Sequence, residues 1–383
     1  MELSYPQAVR IMQEAAPAMV FVALREVLAQ RDWHARLWVI EYRQSALCSV
    51  DDVDGGHAHV SVHDSWQGRV FAADRAQIQD DGARRVVGVS LTHRGHRLGV
   101  MEVSTPTTIT EADVDTIADV GDALAHEIAL ADGLTDHFER ARRARALTVA
   151  AEMQWALLPA TAHITDEYSV AGLLEPAYSV AGDSFDWAFE PDHLTLAVCD
   201  GVNRGVPAAM AMTLCVAALR NARRAAVPLA DQASLADQAL FAHYGGKSYI
   251  AALLMRLDVR SGHLTVVDAG SPKLLQVRAG QIRAVDLDEQ LPLGMFEETK
   301  YRAQVLELAP GDRLIIVSDG VHAAPEHDPF GDSALLAAVS SSRLLSAQET
   351  VRHLMAAMHE HNRGTELDDD AVVVCLDWNG RAE

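Results

Sequence analysis

Asp183-Ser184-Phe185-Asp186-Trp187-Ala188-Phe189 and Leu194-Thr195-Leu196-Ala197-Val198-Cys199-Asp200-Gly201, with Pro191-Asp192 between them, are the stretch that decides the fold. Phe185 to Phe189 and Leu194 to Val198 read as strands, and Pro191-Asp192 is turn chemistry. With the turn centred there, cross-strand partners have residue numbers summing to 383, so Asp183 and Asp200 face each other. Opposed strand residues have Cβ atoms roughly 5 Å apart, and like charges there repel. A cation between them removes the conflict. Two more acidic loops border apolar runs: Ser318-Asp319-Gly320 and Asp368-Asp369-Asp370-Ala371. Carboxylates repeated at strand ends are what holds hard divalent cations in a sheet-built cleft. Any one of these loops also reads as an ordinary acidic loop in a chain rich in Asp and Glu; all four in this arrangement do so far less readily.

Downstream, helices are predicted over 207–224 and 234–244, and strands over 249–257, 264–268, 274–277, 302–308 and 314–317. A helix over 347–361 precedes a last strand, 371–376. Two groups of strands with helices between them predict two antiparallel sheets flanked by helices, an α+β sandwich. Gly245-Gly246-Lys247-Ser248 lacks the upstream glycine of a P-loop and reads as a helix-to-strand loop. His353, His359 and His361 lie on a solvated helix face.

Upstream, residues 1–109 mix a helical opening (8–28) with strands at 36–42, 85–91 and 98–103, the last two joined by His93-Arg94-Gly95-His96. Thr110 and Asp113 form a capping-box-like helix start. Val114, Ile117, Leu124, Ile128, Ala131 and Phe138 follow at helical spacing, before a basic collar of Arg140, Arg142, Arg143 and Arg145. A second apolar patch, Val149 to Leu158, stops at Pro159. Residues 110–158 are therefore expected to form a helical connector, possibly a coiled coil, that pairs in a homodimer. The alternative is a surface helix of the first domain running into a linker.

At 383 residues the chain has length for two domains, and 49% apolar residues fit a globular protein. Lys plus Arg number 32 against 54 Asp plus Glu, a net charge of −22 that repels nucleic acid and anionic membrane, so neither is an expected partner. A phosphoprotein remains open if metal supplies local positive charge. Cys48, Cys199, Cys215 and Cys375 show no CxxC spacing, which argues against a zinc ribbon or disulfide framework, and Cys199 and Cys375 read as small core residues. The longest apolar segment, 208–219, is too short to span a bilayer, and no signal-peptide pattern opens the chain. A cytoplasmic location is expected.

These motifs carry a resemblance. Gln154-Trp155-Ala156-Leu157-Leu158-Pro159, Ala181-Gly182-Asp183-Ser184-Phe185-Asp186, Asp200-Gly201-Val202-Asn203-Arg204-Gly205, Asp268-Ala269-Gly270-Ser271-Pro272, Leu291-Pro292-Leu293-Gly294, Ser318-Asp319-Gly320-Val321 and Asp369-Asp370-Ala371 occur in the order found in the SpoIIE-type branch of the PPM metal-dependent Ser/Thr protein phosphatases. The resemblance implies a phosphatase domain over 159–383. It implies Asp183, Asp200, Asp319 and Asp369 as ligands of two Mn2+ or Mg2+ ions, Asp200 bridging them and the Gly201 carbonyl contributing. Asp186 and Asp370 either touch metal or support it. It further implies a phosphorylated STAS-type protein as substrate.

The chain departs from the pattern at Ala181, at Asn203-Arg204 where Gly-His is usual, and at Ser271 where His is common. None of these removes a metal carboxylate. Arg204 reads either as a phosphate-steering residue or as a surface arginine, and no histidine beside Asp200 is available as proton donor. Residues 1–109 resemble a GAF sensor domain more loosely, through Arg97 to Glu102 and the helix after Thr110. Two rival readings are an inactive phosphatase-fold scaffold that binds a sigma-factor regulator, and a phosphohydrolase of small molecules or cyclic nucleotides.

Overall fold

The computed structural model describes residues 5–50, 58–73, 75–80, 82–106, 108–143, 147–176, 182–270, 272–322, 330–362, 367 and 369–380. Ala181, Ser271, Asp368 and Arg145 lie outside them. The chain forms two compact units, Met1–Ala146 and Leu147–Glu383.

Unit 1 is built on a six-stranded antiparallel sheet in the order β3-β2-β1-β6-β5-β4. Its strands are β1 (His34–Ile40), β2 (Ala46–Ser49), β3 (His59–Ser61), β4 (Gln77–Asp80), β5 (Arg85–His93) and β6 (His96–Thr105). Helices α1 (Tyr5–Glu14), α2 (Val20–Ala29) and α4 (Glu111–Ala131) cover one face, and α3 (Trp66–Ala72) the other. The capping box is made: the Thr110 hydroxyl accepts from the Asp113 N–H, and the Asp113 carboxylate accepts from the Thr110 N–H.

The expected connector over 110–158 is not one helix. It divides into α4, α5 (His137–Arg142) and α6 (Val149–Leu157), the first two in unit 1 and the third in unit 2. The α4 stripe is satisfied internally: Ile117, Val120, Leu124 and Ile128 are buried with Val89, Leu91 and Met101 of the sheet, and Phe138 is buried in the same core. A stripe already covered by its own sheet is closed to a partner helix, so it supplies no dimer seam. No helix among the described residues is long and apolar enough to cross a membrane.

Unit 2 has two antiparallel sheets, ordered β15-β12-β11-β10-β9 and β14-β13-β16-β17-β8-β7. The first holds β9 (Ser184–Phe189), β10 (His193–Gly201), β11 (Ile250–Asp258), β12 (His263–Ala269) and β15 (Gln304–Glu307). The second holds β7 (Ala162–Ile164), β8 (Tyr168–Glu175), β13 (Lys273–Arg278), β14 (Gln281–Ala284), β16 (Asp312–Val317) and β17 (Ala371–Trp378). Strand alternation explains the four layers. Leu194, Leu196 and Val198 of β10 enter the core between the sheets with Val372, Val374 and Leu376 of β17. The intervening Ala197 and Cys199 face α7 (Val206–Arg224) and α8 (Leu229–Tyr244), where small side chains let the helices lie close. Val373 and Cys375 face α10 (Gly331–Ser341) and α11 (Ala347–His361) in the same way. All four cysteines are buried and free.

Replacing Leu124 by alanine tests the placement of α4. We expect a loss of about 2–5 kcal/mol in the denaturant unfolding of unit 1, with the oligomeric state unchanged. A small loss with a change in oligomeric state would restore the connector reading.

Candidate active site

The β9–β10 ladder runs from Phe189↔Leu194 to Ser184↔Cys199, every pair summing to 383 as the turn chemistry requires. It stops one pair short of Asp183 and Asp200. The alternation that sends Phe185, Trp187, Leu196 and Val198 between the sheets puts Asp183 and Asp200 on that same side, at the end of the sandwich. β16 ends at Val317, paired with Val373 of β17, so Asp319, Asp369 and Asp370 leave the second sheet at the same end. Asp319 opens the short helix α9 (Asp319–His322).

Asp183 is the most constrained of the group. It is 1% exposed, and neither carboxylate oxygen has a hydrogen-bond partner. Burial, then the negative charges of Asp200 and Asp370, hold its proton affinity well above the ordinary carboxylate range. Asp200 is pushed up to about 7, by burial and then by Asp319 and Asp369. Asp369 is pushed up to about 6, by burial and then by Asp319. Four carboxyls within electrostatic reach of one another, Asp183 buried, Asp200 and Asp369 partly buried and Asp319 exposed, form a basin of uncompensated negative charge. The donor set is all oxygen, and a buried carboxylate without a donor needs a proton or a cation. A hard divalent cation fits this chemistry. Among the described residues, no three such groups already converge on a single point as a finished coordination shell.

Asp370 holds the frame. It is fully buried, and its Oδ2 accepts from Gln154 Nε2 at 2.6 Å, the Gly182 N–H at 2.7 Å and the Asp183 N–H at 3.2 Å. Gln154 Nε2, on α6, also donates to the Asp183 carbonyl at 2.8 Å. Two glycines make the approach possible. Gly182 has φ +100°, and a Cβ on Gly320 would stand 1.9 Å from the Asp370 carbonyl oxygen. The Ser318 hydroxyl accepts from the Val372 N–H at 2.9 Å, tying the two acidic loops together.

Asp186 goes elsewhere. It faces α7, where Oδ1 accepts from Arg220 at 2.8 Å and Oδ2 from Arg223 at 2.9 Å. Arg220 Nη2 also donates to the Leu157 carbonyl at 2.6 Å, so Asp186 braces α6 and α7 against β9. Of the two residues left open by sequence, Asp186 is a brace and Asp370 a loop anchor. Sequence alone marks Gln154 only as the first residue of a family motif, with no role attached, and does not single out Arg220 or Arg223. The available signal was a lone amide inside the apolar run ending α6, and a charge on a strand position whose parity points at a helix.

Two helix-flanked antiparallel sheets with a carboxylate cluster at one end of the sandwich are the arrangement that the resemblance to the PPM class leads one to expect. Comparison with known proteins narrows this. Residues 190–379 match the family described as Stage II sporulation protein E (SpoIIE). Phosphoserine phosphatase RsbU of Bacillus subtilis is 19% identical over 232 residues, covering 60% of this chain and 69% of that protein. Protein IcfG of Synechocystis is 22% identical over 255 residues, covering 59% of this chain and 40% of that protein. The SiaA-PP2C domain of Pseudomonas aeruginosa has the same fold, with a TM-score of 0.52 at 21% identity over 60% of this chain and 94% of that one. Residues 190–379 carry a SpoIIE-type phosphatase domain of the PPM class.

Two outcomes are expected. Without metal, the folded protein keeps protons at Asp200 and Asp369 that the unfolded chain releases near its ordinary value of 3.8. Its stability should therefore fall as pH rises from there to about 7, and Mn2+, competing with those protons, should bind more tightly over the same interval. Thermal melts with EDTA and with Mn2+ should show the larger metal-induced shift at the higher pH; equal shifts across the window would contradict the cluster. Asp186→Ala should cost about 3 kcal/mol in unfolding while leaving Mn2+ affinity within about twofold. A collapse of Mn2+ affinity would instead make Asp186 a ligand.

Proposed function

We propose that this protein is a metal-dependent phosphoserine/phosphothreonine phosphatase whose first unit regulates the second, acting on a phosphorylated STAS-type regulator in a partner-switching system. The observation that carries the reading is the buried, donor-free Asp183 beside Asp200, Asp319 and Asp369. These four carboxylates and the Gly201 carbonyl would hold two Mn2+ or Mg2+ ions. When bound, such ions supply a water acidified for in-line attack on phosphorus. The chain's own residues do the rest: Asp370 and Gln154 fix the Asp183 loop, Ser318 ties the Asp319 loop to the start of β17, and the Asp186–Arg220 pair keeps α6 and α7 seated on β9. The relative RsbU, named a phosphoserine phosphatase, supports a phosphoserine substrate, and the STAS-type regulator is what the resemblance to the SpoIIE-type branch implies.

The six-stranded sheet with helices on both faces supports a GAF-like sensor reading for unit 1. Covalent order supports regulation: the chain leaving Ala146 enters α6, whose Gln154 holds the Asp183 carbonyl. The scaffold reading keeps one observation in its favour, the open coordination geometry among the described residues.

A manganese titration separates the two. The full chain should hydrolyse p-nitrophenyl phosphate and a phosphoserine STAS protein only with Mn2+ or Mg2+, and Asp200→Asn should lower kcat by roughly a hundredfold or more. A wild-type protein that binds Mn2+ without any metal-dependent hydrolysis would establish the scaffold. To test regulation, the cut belongs between Ala146 and Leu147, because a cut at 108 would strip α4 from its sheet. A 147–383 fragment with the full-length rate would end the regulatory reading.

A further inference from the structure

Arg204 stands four residues after Asp200, on the loop that joins β10 to α7. The loop is held at both ends. Gly201 is paired with Ile250 of β11, the Asn203 amide donates to the Ser248 hydroxyl at 2.7 Å, and Gly205 turns the chain into α7 at φ +68°. Between these fixed points the Arg204 side chain is exposed, and it makes no hydrogen bond or ion pair with a described residue. Other arginines of unit 2 are engaged: Arg220 and Arg223 with Asp186, Arg278 with Asp312, Arg313 with Asp377.

Arg204 lies near enough to Asp369 for its charge to bear on that carboxyl, whereas the largest influences on Asp183 and Asp200 are burial and neighbouring carboxylates. A phosphoryl group carries up to two negative charges and would approach through the field of a chain with net charge −22. A guanidinium presents paired N–H donors that match two oxygens of a phosphate, geometry that an ammonium lacks. An exposed arginine on a pinned loop near Asp369 has no hydrogen-bonded partner among the described residues to lose by turning toward a ligand.

We propose that Arg204 binds the phosphoryl oxygens of the substrate beside the carboxylate cluster. This deepens the phosphatase reading and rests on it. The competing role is charge balance for Asp369 alone, and the two separate on metal affinity.

The test uses the full chain as wild type, Arg204→Ala and Arg204→Lys, each with saturating Mn2+. For Arg204→Ala, KM for p-nitrophenyl phosphate and for a phosphoserine peptide should rise roughly tenfold or more, with the Ki of inorganic phosphate rising in parallel. The kcat should change by less than about threefold, and the Mn2+ dissociation constant by less than about twofold. Arg204→Lys should fall between, and millimolar guanidinium should partly rescue the alanine variant. Unchanged KM and Ki, or a loss that saturating Mn2+ restores, would overturn the proposal. Should the wild type prove inactive, the phosphatase reading fails by itself, and calorimetry with inorganic phosphate on the Mn2+-loaded proteins still decides Arg204. Phosphate binding lost in the alanine variant supports the assignment; binding equal to wild type, or none by either protein, refutes it.

Discussion

A carboxylate that the fold buries and leaves without a donor governs the arrangement of unit 2. Asp183 lies at the end of the sandwich, and both its oxygens lack hydrogen-bond partners. Desolvating a lone anion is costly enough that the group must keep a proton or acquire a cation. The surrounding side chains do not ease that choice. Asp200, Asp370 and Asp369 raise the proton affinity of Asp183, and Asp319 and Asp369 raise that of Asp200. The fold thus spends stability generated in the two sandwich layers and the helix layers to hold a region that repels itself.

That region stays assembled because neutral groups and neighbouring loops clamp it. Asp370 sits among the repelling carboxyls yet is satisfied by an amide and two backbone N–H groups. Ser318 bridges the Asp319 loop to the first residues of β17, and the missing side chain of Gly320 lets that loop rest on the Asp370 carbonyl. Gln154 belongs to α6 but bonds to both the Asp183 carbonyl and Asp370, so the position of a helix and the position of a carboxylate are one variable. Arg220 does the same from the other side, reaching Asp186 on β9 and the last carbonyl of α6.

Much of this was legible in the sequence, and the reason is local. Turn chemistry at Pro191-Asp192 sets the register of a hairpin, and a period of two then fixes which side every residue faces. The helices and strands of the sandwich were likewise visible as runs with clear periods, because their apolar faces pack within one unit. The stripe on α4 was also visible, but its partner was not. A period of 3.6 says that a helix has an apolar face without saying whether a sheet or a second helix covers it. Val89, Leu91 and Met101, from the hairpin just upstream, supply that cover. Gln154 and Arg220 were hidden for a similar reason, since their partners lie far away in the chain and their meaning comes from tertiary placement.

The contrast between Asp183 and Asp186 shows how finely that placement sorts chemistry. The two are three residues apart, both buried, and of the same type. An odd offset on a strand sends them to opposite faces. One face meets α7 and finds two arginines, so the charge is neutralised by protein and Asp186 becomes a structural brace. The other face meets more carboxylates, and its charge is left for something from solvent to neutralise. Had the spacing been two or four, both aspartates would compete for one environment, and either the brace or the carboxylate cluster would be lost. The parity of β9 is therefore what separates the Asp186 brace from the carboxylate cluster at this site.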